Sequence, residues 1–390
     1  MRISSDSAYS SGHRNMTEKI IIEELQTKSG KRLGILTLND PRTINALSVE
    51  MIRTLYPQLI SWQADDNIVA VFLHSSSERG LCSGGNIRHL YDSMVAENEP
   101  KSVATPNPMA LEFFCEEYQL DHLIHAYEKP IIVWGHGIVM GGGVGLMVGA
   151  SHRIVTLESH LAMPEIGIGL FPDVGGSWFL NRMPMGCGLF VGLTGAPLHT
   201  ADALFVGLAD YAIANESKEL LLQSLTNSAW QSEYSANHTM VSNLLNEMDI
   251  SASLPAGNLQ LHAFQIDQLT PDHNFLQIAA ALIESKSNST CDAAREWWNN
   301  AIESLTKGCP TTAHLVYQQL QRAEGKSLTE VFQMELNMAM QCVAHPDFQE
   351  GVRALLVDKD KNPIWQHASI ADVPAAWINE HFQPLISTNN

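Results

Sequence analysis

IIVWGHGIVMGGGVGLMVGA, residues Ile131–Ala150, carries no charged side chain, and seven of its twenty residues are glycine. A run this long passes the length filter for a membrane span, which needs about 20 apolar residues. Its glycines and His136 argue against that reading, because glycine weakens a helix and marks tight backbone turns. The spacing predicts a buried strand from Pro130 to Trp134, a glycine turn and a buried helix. The same order recurs upstream. The buried-strand run Val69-Ala70-Val71-Phe72-Leu73 is followed by the turn Gly80-Leu81-Cys82-Ser83-Gly84-Gly85-Asn86-Ile87-Arg88. Downstream, His152-Arg153-Ile154-Val155 reads as one more strand. Strands separated by helical stretches imply a mainly parallel α/β arrangement.

Working outward, Ile20–Glu24 and Arg32–Leu38 read as a hairpin around Lys28-Ser29-Gly30. Apolar residues at helical spacing (Met51, Ile52, Leu55, Leu59, Ile60) predict a helix over 48–63. After about Tyr211 nearly every segment is helical: 217–230, 259–266, 274–284, 290–306, 312–324 and 328–344, punctuated by Pro310 and Gly325. Residues 236–257 are the least patterned. The expected organisation is a disordered tail over 1–16, an α/β catalytic core over 17–210 and a helical C-terminal region over 211–390.

Composition narrows the functional classes. At about 150 residues per domain, 390 residues allow two to three domains. An apolar share of 45% with 17% charged belongs to a globular chain, not a disordered one. The balance 23 − 42 = −19 repels nucleic acid and anionic lipid. It also opposes an anionic ligand such as coenzyme A, unless the site offers backbone N–H groups. The six cysteines form no CxxC pair, so reduced, buried thiols are expected. The Ser-rich N-terminus has no apolar segment; it is no secretory signal and a poor transit peptide, so a soluble cytoplasmic protein is expected.

Several motifs fail on inspection. Gly135-His136-Gly137 is followed by Met140 where a dinucleotide fingerprint needs glycine. No phosphate loop and no GxSxG elbow is present. His122 and His125 have i, i+3 spacing but lack a matching carboxylate motif, and read as structural. Asp358-Lys359-Asp360-Lys361-Asn362 resembles the start of a calcium loop, yet Pro363 replaces the required glycine, and the segment reads as a turn.

The chemistry rests on three glycine-bearing segments. The turns at 80–88 and 140–146 each present bare backbone where a strand feeds a helix, and two such turns can converge as an oxyanion hole. The third segment, MPEIGIGLFPDVGG (163–176), holds Glu165 and Asp173 in apolar, Gly/Pro-shaped surroundings. Burial there raises carboxyl pKa values and suits both groups to nucleophilic or acid/base work. Helix caps or surface acids are the alternative on composition alone.

These segments in this order resemble the crotonase (enoyl-CoA hydratase/isomerase) superfamily, and within it the 3-hydroxyisobutyryl-CoA hydrolases. The likeness covers nearly the whole chain after the tail, including Phe113–Tyr118, Cys309–Thr312, His345–Ala354 and Asp358–Asp360. It implies a spiral of ββα units in which the N–H groups of Gly85 and Gly142 hold a thioester oxygen. It implies Glu165 as catalytic glutamate, Asp173 beside the substrate hydroxyl, and Glu117 as a substrate-binding acid along with Gly142. Whether Glu165 acts as nucleophile or as general base stays open.

The relatives that hydrate double bonds carry a second glutamate two residues past the triple glycine, where this chain has Gly145. Asn86 replaces a common aspartate after the oxyanion glycine. The resemblance places coenzyme A along residues 75–85, within reach of Arg79 and Arg88.

The implied reaction is hydrolysis of 3-hydroxyisobutyryl-CoA to 3-hydroxyisobutyrate and CoA in valine breakdown, with 3-hydroxypropionyl-CoA as a near neighbour. No cofactor or metal is implied, since CoA is part of the substrate. The partner is an acyl-CoA, with no nucleic acid or membrane. A homo-oligomer is open, because the superfamily forms trimers and hexamers through this core. A eukaryotic source would imply a mitochondrial location. An enoyl-CoA hydratase or isomerase is the second reading, and a non-catalytic acyl-CoA-binding protein the third.

Overall fold

The hairpin forms as the β-branched runs predict. In the computed structural model, which describes residues 18–96, 106–270 and 274–384, β1 (Ile20–Gln26) pairs antiparallel with β2 (Arg32–Leu38). The expected tail over 1–16 lies outside the described residues.

Three units of one design follow. In the first, β3 (Ile68–Ser75) leads to β4 (Gly80–Cys82) and the helix Ile87–Ala96. In the second, β5 (Ile131–Gly135) leads to β6 (Ile138–Met140) and the helix Gly142–Val148. In the third, β7 (His152–Val155) leads to β8 (His160–Ala162) and a 3₁₀ turn, Glu165–Gly167. Then come β9 (Leu198–His199) and β10 (Tyr211–Ala212). The long strands build one six-stranded sheet, β1-β2-β3-β5-β7-β10, parallel from β2 onward; the short strands build a second, β4-β6-β8-β9. Each turn of the chain therefore advances both sheets by one strand. This is the expected spiral of ββα units.

The central strands carry the apolar runs Ile68–Leu73 and Ile131–Trp134 because both sheet faces are covered. On one face, Val69, Phe72, Ile132, Trp134 and Ile154 pack with Leu221, Leu225, Val241 and Leu245 from the helices Lys218–Asn227 and Tyr234–Met248. The second of these helices corrects the reading of 236–257 as unpatterned. Its Ser, Asn, His and Thr residues are weak helix formers, and burial of Val241 and Leu245 outweighs that propensity.

The C-terminal helices share one core with the catalytic α/β part. The rings of Phe190 and Trp298 stack 5.1 Å apart, and Cys309 N–H donates to Ile166 O at 2.9 Å. Four cysteines are buried as expected, but Cys291 is exposed. Asp358 and Asp360 both pair with Arg353, and Lys359 adopts φ 57°, in an irregular segment with a bend at Asp358. No helix among the described residues is long and apolar enough to cross a membrane.

Candidate active site

The second sheet decides where the site lies. Parallel pairing sets Gly80 of β4 opposite Ile138 of β6, and Ile138 opposite His160 of β8. The turns leaving these strands therefore emerge side by side. Leu47 pairs with this edge through Gly84 O and Asn86 N–H. The Gly85 N–H between them has no acceptor among the described residues. Gly142 is the first residue of its helix, so its N–H lacks an intrahelical acceptor. A Cβ on Gly142 would stand 3.4 Å from Gly85 N, which puts the two free donors on one patch.

The third turn delivers Glu165 to the same patch. A Cβ on Gly141, at φ 48°, would meet Glu165 Oε1 at 3.1 Å. Glu165 is 5% exposed, and its Oε2 has no hydrogen-bond partner. Burial pushes its carboxyl well above the usual range, and the nearby Asp173 charge pushes it further. Asp173 lies eight positions on and is equally buried. Burial raises it to about 6, against a hydrogen bond from Tyr118 Oη to Asp173 Oδ2 at 2.9 Å that favours the charged form.

Glu117 completes the group from the helix Pro108–His125. Its Oε1 is unpartnered and would lie 2.3 Å from a Cβ on Gly142. Burial, with Asp173, Asp121 and Glu165 as charged neighbours, raises its pKa well above the usual carboxyl range. No ion pair reaches Glu117, Glu165 or Asp173 among the described residues.

One cavity of about 470 Å³ joins these groups. Its lining includes Gly85, Gly142, Glu117, Glu165 and Asp173, together with Phe113, Ile168, Leu355 and Leu356. All five residues singled out from sequence therefore meet in one space. Asn86 and Arg88 also line it; Arg88 is exposed and held by Asp92. Arg79 does not: its guanidinium donates to Pro41 O and Arg42 O. His122 donates to or accepts from Thr329, and no metal-binding cluster is found among the described residues.

Three residues escaped the sequence reading. Tyr118 holds Asp173. Asp121 is fully buried with neither carboxyl oxygen partnered. Glu335, from the helix Leu328–Ala344, accepts hydrogen bonds from Gly175 N and Ser177 N, each at 2.8 Å. A signal did exist. Glu117, Tyr118 and Asp121 continue the buried stripe begun by Phe113 and Phe114, whereas Glu112 and Glu116 turn outward to Arg53.

This architecture has known counterparts. The family profile described as enoyl-CoA hydratase/isomerase matches residues 33–382. The 3-hydroxyisobutyryl-CoA hydrolase, mitochondrial, of Danio rerio is 36% identical over 377 residues, 96% of this chain and 92% of that protein. The protein of the same name from Homo sapiens is 32% identical, covering 97% of this chain and 92% of its own length. Among solved structures, an enoyl-CoA hydratase from Rhodobacter sphaeroides 2.4.1 superposes with a TM-score of 0.79 at 29% identity, over 94% of this chain and 98% of that one. A carnitinyl-CoA dehydratase from Mycobacterium thermoresistibile gives 0.78 at 31%, over 94% and 97%. The profile spans most of the chain and the relatives cover nearly all of it, so the chain belongs to the enoyl-CoA hydratase/isomerase family.

Proposed function

We propose that the protein is an acyl-CoA thioester hydrolase acting on 3-hydroxyisobutyryl-CoA. One observation carries the reading: two free backbone donors and a buried glutamate line the same cavity, and the place of a second catalytic acid is filled. A Cβ on Gly145 would meet Val174 Cβ at 2.7 Å and Asp121 Oδ2 at 3.0 Å. Hydration of a double bond calls for two positioned acid/base groups, and the second has no room here. A thioester is already activated, so polarising its carbonyl leaves one carboxylate with enough to do.

In this mechanism Gly85 and Gly142 donate to the developing oxyanion. Glu165 attacks the carbonyl carbon, the C–S bond breaks, and water then opens the mixed anhydride; alternatively Glu165 takes a proton from the attacking water. Either route consumes one water and releases the acid and CoA thiol. Asp173 receives the 3-hydroxyl, and Glu117 packs beside the oxyanion donors, where its raised pKa favours the uncharged form. No cofactor enters the scheme. The curated relatives' name carries this substrate, and the two nearly full-length matches support its transfer. A cytoplasmic location, or a mitochondrial one in a eukaryote, belongs to the same proposal.

A thiol-release assay over short acyl-CoAs tests the substrate class. The 3-hydroxyacyl thioesters should outpace their plain acyl counterparts, and Asp173→Asn should erase most of that preference. Equal rates for 3-hydroxyisobutyryl-CoA and isobutyryl-CoA in the parent would remove the hydroxyl role from Asp173.

The pH profile gives an independent expectation. The reaction needs Glu165 ionised, and burial raises both Glu165 and Asp173, the latter to about 6. kcat/KM should therefore decline on acidification at a pH above the ordinary carboxylate value of about 4. Asp173→Asn removes one cause of the raised Glu165 pKa, so its acidic limb should move to lower pH. A limb that stays in place would show that the two carboxyls do not share this field.

A further inference from the structure

Asp173 is followed by two residues in left-handed conformation, Val174 at φ 51° and Gly175 at φ 87°. For a β-branched residue such as Val174 that region is sterically costly, so something must hold the turn. The holder comes from more than 150 positions downstream. Glu335 is wholly buried in the helix Leu328–Ala344, and its two carboxyl oxygens are shared between two donors. Oε2 accepts from Gly175 N–H and Oε1 from Ser177 N–H, both at 2.8 Å. Phe332, one turn earlier on that helix, packs 3.4 Å from where a Gly175 Cβ would be and lies against the Tyr118 ring, tilted, with centroids 5.8 Å apart. Tyr118 in turn donates to Asp173. One helix thus braces Asp173 from both sides, through its backbone turn and through its hydrogen-bond donor.

We propose that Glu335 is a positioning residue: its bidentate grip on Gly175 and Ser177 aims Asp173 at the substrate hydroxyl, and so sets the preference for 3-hydroxyacyl thioesters. The inference rests on the hydrolase reading, in which Asp173 receives that hydroxyl. Glu335 is not among the residues that line the cavity, so it acts through the turn alone. A misplacement of about 1 Å at a reacting group can cost about 100-fold in rate.

The test is the ratio of kcat/KM for 3-hydroxyisobutyryl-CoA to that for isobutyryl-CoA. Glu335→Gln keeps the size of the side chain but turns an NH₂ group toward a backbone N–H, so one of the two bonds is lost. The ratio should fall about 10- to 100-fold, through loss of the hydroxylated substrate's rate. Val331→Ala, on the same helix and also buried, should lower the melting temperature and leave the ratio unchanged. Should Glu335→Gln not fold, Glu335→Asp withdraws the carboxylate by one methylene and reads the same ratio. A preference in the parent that survives in the Glu335 variants overturns the inference alone. A parent with no hydroxyl preference overturns the Asp173 reading and this inference together.

Discussion

Glu165→Gln should lower kcat about 10³- to 10⁴-fold with little change in KM. The amide matches the carboxylate in size but has neither a nucleophilic oxygen nor basicity, while the cavity and its two backbone donors remain. The substitution should also leave the fold at least as stable as the parent. Glu165 is buried with an unpartnered Oε2, no ion pair among the described residues and Asp173 as neighbour, so its ionised form opposes folding. Its folded pKa lies above its unfolded value, and such an acid contributes most at low pH and costs stability as pH rises. The gain in melting temperature should thus appear at neutral and alkaline pH and vanish below about pH 4, where the carboxyl is neutral in both states. Steady-state kinetics and thermal denaturation on the same preparation check both parts. A variant with kcat near that of the parent would sink the assignment of Glu165 as the reacting carboxylate.

Glu165 and Asp173 were legible in the sequence because their surroundings are local. Each sits within a few positions of the glycines, prolines and apolar residues that bury it, so its altered chemistry can be read from one segment. The strands Ile68–Ser75, Ile131–Gly135 and His152–Val155 were legible for a related reason: each central parallel strand carries a β-branched or apolar run, Ile68–Leu73, Ile131–Trp134 and Ile154–Val155. The second sheet was not, since β4, β6 and β8 are three residues each and too short to show a period. Yet that sheet is what brings Gly85, Gly142 and Glu165 together. Glu335 was hidden by distance. Its helix shows it only as one acid on a buried stripe with Val331, Phe332, Met338, Ala339 and Cys342. Such an acid announces a buried partner without saying which, and the partner N–H groups lie at Gly175 and Ser177. Tyr118 and Asp121 gave the same kind of sign on the helix Pro108–His125.

Gly142→Ala should cost about 10²- to 10³-fold in kcat, the usual effect of losing one oxyanion donor. The backbone N–H is still present in the variant, so the loss must come from displacement, and the geometry says where. The new methyl would lie 2.3 Å from Glu117 Oε1 and 3.4 Å from Gly85 N. The first contact is impossible, and the second leaves no slack beside the other donor, being already at van der Waals contact. Either Glu117 swings into the cavity or the turn shifts away from Gly85; both part the two N–H groups that must meet one oxygen. Conformational strain is not the cause, since Gly142 opens an α-helix and has no positive φ. Alanine is in general the better helix former by up to about 1 kcal/mol. Gly167→Ala is the matched control: it follows Glu165 in the 3₁₀ turn, and its methyl would meet nothing within 4 Å. That variant should keep parental kcat and melting temperature. For Gly142→Ala, circular dichroism establishes the fold, and kcat at saturating acyl-CoA reads the site. A folded Gly142→Ala enzyme with parental kcat would mean that the carbonyl oxygen is held elsewhere than between Gly85 and Gly142.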